Sequence, residues 1–423
     1  MNNVKQPSHA YRDITEQFVI DASFLWVLRS IGVKQPHYSI EDIAELEKRI
    51  DANLDGAMSN YELAWDICVE ELIYEQAGEV FTAAIIAFRS RNMDKIQHIV
   101  KHAFCNEETL KGLVSAIAWL PKVLINEWLQ KFVFSKDLNH KHLALSICSV
   151  LRKNPGNILQ ELLEREDCLA HSGLLLRMLR LIGELKLYAF TNQCQKLIDH
   201  ELPQIQFWAN WSLVMLGEQK QVVNLIPFMK EESSFQLLAI DTVFNVLPIN
   251  KARAWISQSV QQPEMMRTVI RATGILGDPH AMPWLIEKMN HFDTAKIAGE
   301  AFTLITGIDL ERYELSIDLP EELAIIPNDE IEDDNVDLDE DENLPFPDVN
   351  KINHTWLRYR DRYKAGARYI MGIEVTDNNP ATVAKLNAML QQAGQRQRAS
   401  LALTIALLDA QSVFINIKAR GRA

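Results

Sequence analysis

The chain has 423 residues, 48% of them apolar, and a formal net charge of −14, which excludes a single small domain and a mainly disordered protein. Its five cysteines (Cys68, Cys105, Cys148, Cys168, Cys194) are widely spaced and contain no C-x-x-C, so neither a disulfide framework nor a zinc site is indicated, and reduced thiols in a cytoplasmic setting are expected. The N-terminus MNNVKQPSHAYRD has no basic region followed by an apolar core, and no uninterrupted apolar stretch is long enough for a membrane span, so no membrane partner is expected.

In chain order, residues 1–77 read as a helical N-terminal cap. Ser39 stands three residues before Asp42 in a capping-box arrangement, and Ile40, Ile43, Leu46, Ile50 and Leu54 share one helical face. Phe24–Ile31 and Ala64–Ile73 supply two more helices of the cap.

Residues 78–312 repeat. Apolar helix-like segments end at Leu120, Leu151, Ile182, Leu216, Leu247 and Leu276, each followed by a breaker or turn residue, in steps of 31, 31, 34, 31 and 29 residues. A second apolar helix follows each turn, as at Val222–Met229 after Gly217 and Ala281–Met289 after Gly277. The clearest unit is RATGILGDPHAMPWLIEKM, where Gly277 suits a left-handed C-cap, Asp278 an N-cap and Pro279 a first turn. A helical hairpin of this length cannot bury its apolar faces alone, so the repeats are expected to stack into an all-α, HEAT-like solenoid. The near-identical stretches Gly78–Thr82 and Gly299–Thr303 read as equivalent helix starts at the two ends of the array.

Residues 313–350 form an acidic linker or insertion of disordered character, with fifteen acids and no lysine or arginine. Ten carboxylates fall between Asp329 and Glu342: Asp329, Glu330, Glu332, Asp333, Asp334, Asp337, Asp339, Glu340, Asp341 and Glu342. An EF-hand register starting at Asp337 puts Glu342 where the turn needs glycine, and one starting at Asp333 puts Leu344 where the bidentate glutamate belongs, so calcium is not expected. A solvated spacer and docking onto a basic surface both remain open.

Residues 351–423 carry twelve Lys/Arg against four Asp/Glu and read as a basic module of two or three helices, broken at Asn378-Asn379-Pro380 and at Gly394. Within it Arg358, Arg360, Arg362, Lys364 and Arg368 interleave with Trp356, Tyr359, Tyr363 and Tyr369. The pattern suits phosphate and base stacking, yet the adjacent acidic stretch would compete, so nucleic acid is not the expected partner.

No catalytic set is evident. His98 and His102 lie one helical turn apart without the glutamate of H-E-x-x-H, Cys105 has no nameable orienting group, and His200-Glu201 is a lone dipeptide. No metal and no cofactor are expected. Phe207, Trp208 and Trp211 sit on adjacent helical turns, with Trp208 and Trp211 as candidate partner anchors and core filling as the alternative.

Nearly the whole chain resembles a family of bacterial HEAT-like repeat proteins encoded beside type VI secretion genes. The resemblance rests on SFLWVLRSIGVKQPHY (23–38), RIDANLDG (49–56), GEVFTAA (78–84), LVSAIAWLP (113–121), FWANWS (207–212), AGEAFTLITGIDL (298–310), the acidic insertion ending in LPFPD, and GQRQRASLAL (394–403). Members resemble immunity proteins of restriction-endonuclease-type toxins. The resemblance implies a non-catalytic binding protein that neutralises a cognate antibacterial effector, a nuclease toxin, with the ten carboxylates and the two tryptophans as partner-binding residues. An effector adaptor or chaperone, and more remotely a HEAT-fold DNA glycosylase, are the competing readings; homodimerisation is left open.

Overall fold

The structure, a computed structural model, describes residues 9–230, 234–318, 341–376 and 379–421. The protein is all-α and solenoid-like: antiparallel helical hairpins follow one another along the chain, and the strands among the described residues form two short two-stranded ladders. The chain divides into two compact units, one of residues 1–208 with 415–423 and one of residues 209–414.

In the first unit the helices are α1 (His9–Gly32), α2 (Ile40–Met58), α3 (Tyr61–Glu71), α4 (Ala77–Ser90), α5 (Met93–Ala103), α6 (Glu107–Trp119), α7 (Lys122–Phe134), α8 (Leu138–Leu151), α9 (Ile158–Leu163), α10 (Glu166–Ala170), α11 (Ser172–Leu185) and α12 (Thr191–Gln195). The unit boundary falls within α13 (Pro203–Met215). The expected capping box opens α2, where Ser39 Oγ accepts from Asp42 N–H and Asp42 accepts from the Ser39 backbone.

The helices α4, α6, α8 and α11 stack side by side, and the second helix of each hairpin packs against them. Sequence dictates the arrangement. Val80, Phe81, Ala83, Ala84, Ile85, Ile86, Ala87 and Phe88 bury α4 on every side, as befits a helix with neighbours all round. Gly112 lets α6 lie against α4, because a Cβ there would sit 2.3 Å from the Ala77 carbonyl oxygen. Phe81 fills the seam between them, stacked on Trp26 at 5.2 Å and edge-on to Trp119 at 5.4 Å.

The second unit continues with α14 (Gln236–Val246), α15 (Ile249–Ser259), α16 (Met266–Leu276), α17 (Met282–Lys288) and α18 (Phe292–Thr306). Strands β1 (Ser316–Ile317) and β2 (Phe346–Pro347) pair antiparallel, Ser316 opposite Pro347 and Ile317 opposite Phe346. There follow α19 (Val349–Tyr359), the hairpin β3 (Arg368–Ile370) and β4 (Ile373–Val375), α20 (Pro380–Leu390) and α21 (Gln395–Leu408). Helices α14, α16 and α18 stack as α4, α6 and α8 do, and Phe302, Ile305 and Leu310 form a core with Trp356 and Tyr369.

The residues that stop successive long helices are Arg91, Leu120, Arg152, Lys186, Gly217, Leu247, Gly277 and Gly307, spaced 29 to 34 residues apart. Five of the six sequence markers fall at or beside these ends. Ile182 lies one turn inside, because α11 runs on to Leu185 and Lys186 takes the left-handed conformation. A 6→1 hydrogen bond from Leu187 N–H to the Ile182 carbonyl, 3.0 Å, holds that turn closed. Gly277 has φ +71° and Asp278 accepts from His280 N–H, as the sequence of that unit requires.

Two expectations fail. Gly78–Thr82 opens α4, but Gly299–Thr303 lies in the second half of α18, so the two stretches are not equivalent helix starts. What they share is a close approach: a Cβ on Gly78 would meet the Ser23 carbonyl oxygen at 2.7 Å, and one on Gly299 would meet Leu310 at 2.9 Å. The C-terminal region is also not purely helical. After α19 the chain turns into β3–β4 through Met371 and Gly372, both at positive φ (49° and 76°), the two-residue hairpin turn that matches strand twist.

That hairpin caps helices. Tyr369 N–H donates to the Gly277 carbonyl at 2.8 Å, Met371 N–H to Leu304 at 2.6 Å and Gly372 N–H to Ile305 at 2.9 Å, while the Arg368 guanidinium donates to the Phe244 and Leu247 carbonyls. The otherwise orphaned C-terminal carbonyls of α14, α16 and α18 are thereby satisfied. In the first unit residues 415–421 do the same: Asn416 Nδ2 donates to Val150 O at 2.9 Å at the end of α8, and Arg420 Nη1 to Trp119 O at 3.1 Å at the end of α6.

Candidate partner-binding site

Of the carboxylates singled out by sequence, Asp329, Glu330, Glu332, Asp333, Asp334, Asp337, Asp339 and Glu340 lie outside the described residues, as do most positions of the EF-hand registers. Both ends of the acidic segment are placed in the second unit, and they meet. β1 pairs with β2, Asp348 N–H donates to the Leu315 carbonyl at 2.7 Å, and Lys351 Nζ donates to the Glu314 carbonyl at 3.0 Å. Phe346 lies against Phe292 with ring centroids 6.0 Å apart. The acidic segment is therefore an insertion closed at its base.

Asp341 belongs to that base and is not a free carboxylate. It is 5% exposed, accepts from Arg267 Nη1 and, at 2.9 Å, from Arg267 Nη2, and lies 3.5 Å from Arg396 Nη1. Arg396 also donates to Glu300 Oε2 at 2.6 Å. Arg271, on α16, holds Asp241, on α14, through Nε at 3.2 Å and Nη2 at 3.0 and 3.1 Å. Burial raises the Glu300 carboxyl above its ordinary value, with Arg396 and Arg271 opposing the shift. Three guanidiniums thus face three carboxylates. Glu342 is exposed, and its carbonyl accepts from Lys296 Nζ at 3.1 Å.

The first unit has a comparable row of arginines on α8 and α11 with a different balance. Glu184, 1% exposed, accepts from Arg180 Nε at 2.8 Å, from Arg152 Nη1 at 3.0 Å and from the Ser149 hydroxyl. Burial alone would raise its carboxyl, but Arg180 and Arg152, with Ser149 and Arg177, hold it below the ordinary value. Arg177 adds a third guanidinium: Nη1 donates to Ser149 Oγ at 3.3 Å, and Nε is buried without an acceptor. Burial, then repulsion from Arg180, brings its pKa down to about 10. His142, packed nearby, is brought down to about 4 by burial, Arg177 and His171.

The tryptophans are not exposed anchors. Trp211 is 0% exposed and its Nε1 donates to Thr242 Oγ1 at 3.1 Å; Trp208 is 8% exposed, with the Arg180 guanidinium 4.9 Å from its ring centroid. Both fill the interior, as large aromatics at helical spacing do. Trp356 and Tyr369 of the C-terminal cluster are also buried, and Arg368 is spent on helix carbonyls, so the interleaved phosphate-and-stacking surface is not assembled; Arg358 and Arg362 instead flank Tyr359.

His98 meets Trp65 edge-on at 5.8 Å, and His102 Nε2 is buried with no hydrogen-bond partner. Cys105 is exposed and the other four cysteines are buried. A cavity of about 610 Å³ in the second unit opens where α14, α16, α21 and the β3–β4 hairpin converge, with Asn245, Thr404 and Arg368 among apolar walls. Its lining includes the hydroxyl residues Tyr369 and Thr404 and no carboxylate, histidine or cysteine.

The arginine rows escaped the sequence reading. A signal was present in LLLRMLRLIGEL, where Arg177, Arg180 and Glu184 interrupt an otherwise apolar helix at i, i+3 and i+7. For Asp341 and its arginines, 74 residues apart in one pair, no local signal exists. Comparisons with family models, curated proteins and solved structures found no match. Among the described residues no helix is long and apolar enough to cross a membrane.

Proposed function

We propose that this chain is a non-catalytic binding protein of HEAT-like repeats that neutralises a basic protein partner in the cytoplasm, in the manner of an immunity protein facing a co-encoded nuclease toxin. The acidic insertion is the partner-facing element. One observation carries this reading: the insertion is closed and fixed at its base, with Asp341 already seated on Arg267 and Arg396. A carboxylate on paired guanidiniums is the chemistry by which an acidic segment occupies a groove built for phosphate. A closed base reduces the chain entropy lost on docking, and a concentrated negative field speeds encounter with a basic surface.

Co-expression with the toxin-like protein encoded beside it tests the reading, scored by co-purification and by growth of the host. Amide replacement of Asp329, Glu330, Glu332, Asp333, Asp334, Asp337, Asp339 and Glu340, leaving Asp341 in place, is expected to weaken the complex roughly a hundredfold and flatten its salt dependence. Unchanged affinity would remove the insertion from the interface. A stable complex that leaves the host unprotected would favour an effector adaptor or chaperone instead.

A further inference from the structure

The arginine row on α8 and α11 is chemically unfinished. Three guanidiniums share one carboxylate, and each of Arg152 and Arg180 is directly bound to Glu184. Arg177 is left with a hydroxyl on Nη1 and nothing on Nε, and among the described residues no carboxylate lies within salt-bridge distance of it. The groups facing it are Arg180, Arg152, His142 and Ser149, with the already engaged Glu184 as the one acid. The only carboxylate that offsets its charge, Glu184, is bound to Arg152 and Arg180, so the desolvation of the half-buried Arg177 is only partly compensated.

The second unit shows how this fold completes such a row. When helices are aligned by their C-caps, Lys186 for α11 and Gly277 for α16, Arg180 and Arg271 take the same position, six residues before the cap. Arg271 finds Asp241 on the preceding long helix, also six residues before its cap at Leu247. On α8 that place is Ser146. With no acid there, Arg180 turns to Glu184 on its own helix, and among the described residues Arg177 has no carboxylate at salt-bridge distance. Where the second unit still had arginines to answer, at Arg267 and Arg396, a carboxylate from a distant acidic segment fills the gap.

We propose that Arg177, flanked by Arg152 and Arg180, is the binding site for one carboxylate of an acidic residue on a protein partner. A guanidinium whose charge is answered only by a shared carboxylate matches one further carboxylate. A phosphate group fits less well, since Glu184 already places a negative charge in the cluster and Ser149, Arg152 and Glu184 sit at helix C-terminal ends, whose dipoles repel a dianion. This site does not depend on the function proposed above: it would receive acid from a partner, whereas the insertion would offer acid to one.

The test uses the full chain and an acetylated, amidated triglutamate peptide, with inorganic phosphate as a second probe, at constant ionic strength. The peptide is expected to raise the melting temperature and to bind with a dissociation constant on the order of millimolar, as one or two charge-assisted hydrogen bonds allow. Arg177→Met should weaken binding by about tenfold or more. Without peptide the same variant should melt at the same temperature as the parent or higher, because a charge whose desolvation is only partly compensated has been removed. A lower melting temperature for unliganded Arg177→Met would make the guanidinium structural and overturn the site. So would a peptide effect that survives Arg177→Met, no peptide effect on the parent, or a response to phosphate alone.

Discussion

In the second unit almost every strong donor and acceptor of the stacked helices is answered from within the unit. The left-handed caps are glycines, and at two of them the missing Cβ admits the β3–β4 hairpin: a Cβ on Gly277 would lie 2.1 Å from the Tyr369 carbonyl oxygen and one on Gly307 2.6 Å from that of Met371. Its arginine row, Arg267, Arg271 and Arg396, meets Asp341, Asp241 and Glu300 one for one. In the first unit the left-handed caps are Arg91, Arg152 and Lys186, residues with a Cβ that resists that conformation, and its arginine row exceeds its carboxylates. The same repeat has been finished in one place and left polar and charged in the other. Completed networks specify packing, and incomplete ones mark where the chain carries a cost that packing alone does not explain.

The largest test of this contrast is to cut one carboxylate in each unit. Glu184→Ala strands three buried or half-buried guanidiniums and is expected to cost about 3–5 kcal/mol in denaturant unfolding. Asp341→Asn should cost less, about 1–3 kcal/mol, because Arg396 keeps Glu300 and Arg271 keeps Asp241. Equal losses would show that both rows are balanced to the same degree, and the contrast would collapse.

A smaller effect follows from His142. Its folded pKa, about 4, lies below the ordinary 6.5, so the fold favours the neutral ring. For such a base, stability is intact above the unfolded value and is lost as pH falls from 6.5 toward 4. Between pH 7 and pH 4.5 the parent should lose about 2–3 kcal/mol more than His142→Gln. If the two proteins lose stability in parallel across that range, the cationic crowding around Arg177 is not as the geometry implies.

Much of the architecture was legible because it is local. Leucine followed by a breaker every thirty-odd residues located five of the six marked helix ends, and the Ser39–Asp42 capping box, the Gly277 cap and the Asp278 N-cap could each be read from a few adjacent residues. The end of α11 was not, because Lys186 takes a conformation that sequence associates with glycine. The β3–β4 hairpin was hidden by arginines at helical spacing upstream of it, although Met371-Gly372 between Arg368–Ile370 and Ile373–Val375 was a usable turn signal. The residues read as candidate partner contacts fared worst. Trp208 and Trp211 were readable as core or as anchors, and periodicity alone does not separate the two. Asp341 became a structural residue through Arg267 and Arg396, which lie 74 residues before it and 55 residues after it, beyond the reach of any local pattern.

The smallest effect concerns the caps and carries the opposite sign. Arg91 ends α4 at φ 56° with an exposed side chain, so its backbone bears the left-handed strain with no packing to gain from it. Glycine removes that strain, worth roughly 1–2 kcal/mol, but it also frees the unfolded chain and gives up a cation at the negative end of the helix dipole. The balance favours Arg91→Gly by about 0.5–1 kcal/mol, readable as a rise in the denaturation midpoint at unchanged slope. Gly277→Ala should move the midpoint down, because its Cβ would strike the backbone that caps α16. Opposite signs at two left-handed caps would establish that Gly277 is there to admit the hairpin. A loss at Arg91 as well would mean that the arginine is held in place by something other than tolerance.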